Sequence, residues 1–127
     1  MAVKYNVIQK AYPGNPTAPK KFYANSIADG EVSLRNLSKE IAQTSSVSES
    51  DVYATLIDLA KMLSKHLSNG KIVRFGDFGS FQISISSEGM DSQSKVNASS
   101  IKSAKILFRP GIDLKDTLAT LKFEKKK

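Results

Sequence analysis

Two glycines interrupt a run that otherwise reads as β-strand. In "VRFGDFGSF", residues 73–81, Val73, Phe75, Phe78 and Phe81 are the apolar positions, and Gly76 and Gly79 break them up. Glycine weakens a strand interior unless the backbone bends or another segment packs close. A kinked hairpin lined with phenylalanine rings satisfies both conditions. The next residues agree: Phe81, Ile83 and Ile85 alternate with Ser80, Gln82, Ser84 and Ser86, the period of a strand with one apolar face. The expectation is two strands within 71–86, joined at "GDFG".

Helical spacing precedes the hairpin. Leu34, Leu37 and Ile41 share one face over 33–43, with Ser33 as N-cap. Ser48 followed by Asp51 has the pattern of a capping box. Val52, Leu56, Leu59, Leu63 and Leu67 then define a longer helix, widened by Tyr53, Ile57 and Ala60 and stopped at Asn69-Gly70. So broad an apolar stripe serves either the core or a second subunit.

The first thirty residues read as an appended strand pair. Val3, Tyr5 and Val7 alternate, a loop holds Pro13, Pro16 and Pro19, and "KFYANSI" (21–27) is a second strand. After the hairpin comes "SEGMDSQSKVNASSIKS", too long for an ordinary connection. "AKILFRP" resumes as strand, Asp113 caps a last helix with Leu114, Leu118 and Leu121, and "KFEKKK" is a frayed charged tail.

Charge narrows the function classes. Nineteen Lys and Arg stand against twelve Asp and Glu, a net +7, which favours an anionic partner. Residues 1–30 carry +3, residues 31–69 carry −1 and residues 70–127 carry +5. There is no cysteine, hence no disulfide or thiolate chemistry. No apolar run approaches the ~20 residues that span a membrane. The protein is expected to be intracellular, with no membrane partner.

An enzyme is not expected. Asp77-Phe78-Gly79 has the letters of a kinase metal-binding motif, but a glycine-rich loop, a strand lysine and a catalytic loop are all missing. His66 is the single histidine, so no His/Cys metal set can form. It suits the end of a helix, where a partly exposed imidazole favours the dipole. Glu49, Asp51 and Asp58 are better read as salt-bridge partners of Lys61 and Lys65 than as acid/base catalysts. No cofactor and no metal are implied.

The two glycine motifs together resemble the bacterial histone-like HU/IHF family. Phe78-Gly79-Ser80-Phe81 matches the family's kink, Phe108-Arg109-Pro110-Gly111 its return segment, and Leu114-Lys115-Asp116 its last helix. The resemblance covers roughly 31–121 and implies an α+β fold. That fold is an HU/IHF-like intertwined homodimer with two N-terminal helices, an antiparallel sheet, a protruding β-arm (about 84–105) and a short C-terminal helix. Residues 1–30 add an extra strand pair and residues 122–127 a basic tail to a single HU-like domain. The extension is similar to the divergent HU-like proteins of the Bacteroides group.

The implied function is non-sequence-specific binding of double-stranded DNA in the cytoplasmic nucleoid. The family's arms wrap the minor groove and wedge a proline between base steps. The DNA-binding candidates are Lys95, Lys102 and Lys105 on the arm, Arg109 and Lys115 on the return segment and last helix, and Arg74 on its strand. The arm here lacks proline and carries Glu88 and Asp91; Met90 is the candidate wedge. The alternative is a dimeric structural or protein-interaction module that kept the fold and lost DNA bending.

Overall fold

The computed structural model describes residues 2–11, 14–15 and 17–126. Pro13 and Pro16 of the expected loop and Lys127 of the basic tail lie outside them. The chain divides into two compact units, Leu34–Thr117 and Met1–Ser33 with Leu118–Lys127.

The larger unit opens with helices α1 (Leu34–Gln43) and α2 (Glu49–Ser68). Ser48 caps α2, its side chain accepting from the Asp51 N–H at 3.2 Å, which satisfies one of the orphan donors of the first turn. Asn69 closes the helix, and Gly70 follows with φ of 77°, a left-handed conformation open to glycine. Ser38 is fully buried on α1, and its hydroxyl donates to the Leu34 carbonyl at 2.8 Å. Arg35 lies over the Tyr53 ring at 4.7 Å and ties α1 to α2 by cation–π attraction. The expected salt bridges on α2 are absent: Glu49, Asp51 and Asp58 form no ion pair with Lys61 or Lys65, as is common for long side chains at a solvated surface.

The sheet of this unit runs β3 (Val73–Arg74), β4 (Gly79–Ser87), β5 (Ile101–Pro110), all antiparallel. A single 3-10 turn over Gly76–Phe78 joins β3 to β4. The turn is locked by the Phe75 N–H on the Gly79 carbonyl at 2.8 Å. Gly79 has φ of 143°. A Cβ there would stand 2.5 Å from the Arg109 carbonyl oxygen and 2.8 Å from the Phe108 ring, so glycine permits both the bend and the close approach of β5.

Register sorts the sheet into two faces. Phe81 pairs with Val73 and Phe108, Ile83 with Ile106, and Ile85 with Ala104, all on one apolar face. Phe75, Phe78, Phe81 and Phe108 form a closed ring of aromatic contacts, with centroids 4.8–5.7 Å apart. Ile83 and Ile106 share a recess with Ala60, Leu63 and Leu67 of α2, so this face turns toward α2. Helix α3 (Ile112–Ala119) begins directly after Gly111. Asp113 therefore sits inside its first turn rather than capping it, where a carboxylate still meets the positive end of the dipole.

The smaller unit is a second three-stranded sheet, ordered β2 (Lys21–Ile27), β1 (Val3–Lys10), β6 (Phe123–Lys125). β1 and β2 form the expected strand pair, and it is antiparallel, from Lys4 opposite Ile27 to Lys10 opposite Lys21. The frayed tail is a correction. Phe123–Lys125 pairs in parallel with Val3–Tyr5, and the Val3 N–H donates to the Lys122 carbonyl at 2.8 Å. An unpaired β1 edge supplies backbone partners that outweigh the entropy of holding three terminal residues.

Candidate nucleic-acid interface

The polar face of the β3–β4–β5 sheet is set by the same register. Ser80 has Arg74 on one side and Arg109 on the other. Directly opposed residues point to the same face, so the two arginines flank one serine, their backbones two strand spacings apart, about 9.5 Å. They line a recess with Gly76, Gly79, Ser80, Pro110 and Gly111. Gly76, Gly79 and Gly111 bring bare backbone to the lining, and a Cβ at Gly79 or Gly111 would strike the Arg109 or the Asp77 carbonyl oxygen. The Gly111 N–H closes the recess by donating to the Phe78 carbonyl at 3.0 Å. Lys105, opposite Ser84, continues the same face four residues up β5.

Lys102 is different. Ser86 pairs with Ser103 and Ser87 with Ile101, so Lys102 is the extra residue of a β-bulge, and strict alternation does not assign it a face. Lys95 lies in a 3-10 turn of the arm tip, and Lys115 on α3. The structure thus brings Arg74, Lys105 and Arg109 onto one face, leaves Lys102 at the bulge of β5, and holds Lys95 and Lys115 on other elements. Among the described residues, none of these six cations forms an ion pair.

Residues 88–100 form the tip between β4 and β5. It is organised by backbone and side-chain bonds: the Glu88 N–H donates to the Ser100 carbonyl at 2.9 Å, and Asn97 and Ser100 form a capping box. Ser100 is buried and Met90 is exposed. Sequence reasoning named the two arginines separately and missed the Gly76, Gly79, Ser80 and Gly111 floor between them. The signal was the shared pairing partner Ser80, which is visible only once the register is known.

Among the described residues, no group of three or more His, Asp or Glu gathers to hold a metal. No described helix is long and apolar enough to cross a membrane. Asp77-Phe78-Gly79 belongs to the kink, with Asp77 on its 3-10 turn.

An α+β chain with paired helices, a glycine-kinked sheet and a return through Phe-Arg-Pro-Gly defines an HU-type domain. The family described as "HU domain fused to wHTH, Ig, or Glycine-rich motif" matches residues 1–125, and the chain belongs to it. In fold it is similar to a crystal structure from Bacteroides vulgatus ATCC 8482 described as a "Putative bacterial DNA binding protein". The TM-score is 0.60 at 12% identity, over 97% of this chain and 48% of that one. The chain therefore spans about half the length of that relative. No curated protein matches the sequence.

Proposed function

We propose that the protein is a homodimeric, nucleoid-associated protein of the bacterial cytoplasm that binds double-stranded DNA without sequence specificity. The observation that carries this reading is the pair Arg74 and Arg109 on the polar sheet face, free of acidic partners, with Lys105 on the same face. Arginine presents a rigid fork suited to phosphate oxygens, and phosphate contacts carry no base information. Lys95, Lys102 and Lys115 add contacts from the arm and α3, and Met90 serves as the tip residue nearest the base steps. The DNA-binding description of the Bacteroides vulgatus relative agrees with this reading, and the N-terminal sheet supports membership of the N-terminally extended subgroup of the Bacteroides group.

The homodimer is supported by surface left uncovered. Among the described residues, Val52 and Leu67 are the buried apolar ones, at 7% and 5% exposure, while Leu59 and Met62 of α2 stand at 42% and 49%. An intertwined partner that covers the α2 stripe and the apolar sheet face, where Ile83 and Ile106 are also exposed, accounts for this exposure. Residues 31–121 then make one HU-like domain, extended by residues 1–30 and by the basic 122–127.

The test is fluorescence anisotropy of a labelled duplex of about 30 base pairs across a salt series. Micromolar or tighter binding that is indifferent to sequence and weakens steeply with salt is expected. Absence of binding at low salt overturns the reading and leaves a dimeric protein-interaction module. The acidic Glu88 and Asp91 on the tip favour that second reading.

A further inference from the structure

The β2–β1–β6 sheet carries a cationic recess that the duplex reading does not use. Its unit holds eight lysines against three acids, five of the chain's seven net charges. The charges are segregated along the hairpin. At one end Lys4 is neutralised by Asp29 at 3.8 Å. At the other end Lys10 and Lys21 are directly opposed across β1 and β2, and neither forms an ion pair.

Like charges directly opposite each other destabilise a strand pair. An anion between them removes that repulsion. The adjacent rung on the same face is Ile8 opposite Tyr23. Tyr23 is 45% exposed, and with Lys10, Lys21, Ala18 and Pro19 it lines a shallow recess of about 150 Å³. The recess therefore combines two free ammonium groups with an aromatic ring and a proline wall. Aromatic side chains interleaved with cations are the chemistry that holds single strands, whose unpaired bases offer π-faces for stacking and whose phosphates follow the cations. A duplex keeps its bases stacked and offers no free face to Tyr23.

We propose that this recess is a second nucleic-acid site, selective for single strands. One base stacks on Tyr23 and the flanking phosphates engage Lys10 and Lys21. The site stands on a unit separate from the Arg74–Arg109 face, so it holds whether or not that face binds duplex.

The experiment uses the full chain, with labelled oligothymidylate and oligouridylate about a dozen nucleotides long and a duplex of about 30 base pairs as comparison. Tyr23→Ala is expected to weaken single-strand binding roughly 10-fold, the scale of one lost stack. Tyr23→Phe, which keeps the ring, restores it. The Lys10→Gln/Lys21→Gln variant lowers the single-strand salt slope by about 1.4, two phosphates at ~0.7 each. Duplex affinity stays within twofold in all of them. The deoxy and ribo arms tell which strand is preferred. Both lysines are exposed, so the double variant folds and decides the matter even if Tyr23→Ala does not. The proposal is overturned if neither oligomer binds at low salt, if the lysine variant leaves single-strand binding unchanged, or if duplex binding falls in parallel.

Discussion

Gly79 joins the two motifs that make the sequence readable. Its φ is positive, and its missing Cβ leaves room for the Arg109 carbonyl and the Phe108 ring. Gly79→Ala is expected to destabilise the protein by about 2–4 kcal/mol through backbone strain and overpacking together, read from the urea midpoint. Gly89→Ala on the tip, where nothing lies within 4 Å and φ is ordinary, should stay within about 0.5 kcal/mol. That a bend was required at Gly79 could be read from glycine inside an alternating run. What presses against it could not, because Phe108 and Arg109 arrive from a strand some thirty residues later. The same gap hid the recess. Arg74 and Arg109 become neighbours only through Ser80. Replacing both with Gln should weaken duplex binding to unrelated sequences alike and lower the salt slope by about 1.8 per chain, at ~0.9 per phosphate. Replacing both with Lys should recover only part of the affinity, since the fork is lost.

At the scale of elements, legibility follows the length of the periodic signal. β1 and α2 repeat their period often enough to be read, and the Ser48 cap confirms where α2 starts. β6 is three residues, "FEK", with no period to detect, and its partner strand lies at the opposite end of the chain. The bulge at Lys102 was equally hidden, because a shift between Ser86 and Ser87 is a property of pairing rather than of composition. β6 has a measurable role. It occupies the β1 edge only along Val3–Tyr5, with the Val3 N–H on the Lys122 carbonyl and the Lys126 N–H on the Tyr5 carbonyl. A chain shortened to end at Leu121 is expected to lose protection at the Val3 amide in hydrogen exchange. Amides in the middle of α2 should keep theirs. Unchanged protection at Val3 would mean that β6 contributes nothing to holding the N-terminal sheet.

For the whole molecule, the question is what the apolar stripe faces. Leu34, Leu37, Ile41, Leu59 and Met62 are all exposed, although their spacing is that of a core. Helix periodicity reveals that a face is apolar and is silent on whether the same chain covers it. Exposed apolar patches of this extent mark interaction surfaces, and closed two-fold pairing is the commonest way to bury one. Sedimentation of the protein should give about twice the 13.9 kDa chain mass, with a thermal midpoint that rises with concentration, as linkage to association demands. Leu59→Glu places a charge within the stripe. Burying it unpaired in an interface costs several kcal/mol, so this variant should sediment as a monomer with a concentration-independent, lower midpoint. Lys61→Glu, two residues on and about 160° around the helix, makes the same kind of charge change outside the stripe and should leave the dimer intact. If Leu59→Glu keeps the dimer mass and midpoint, the stripe is a solvated surface. The two chains would then pair through another surface; only a protein that sediments at the 13.9 kDa chain mass would have to grip DNA through one sheet face, with half the phosphate contacts and half the salt slope that two-fold symmetry supplies.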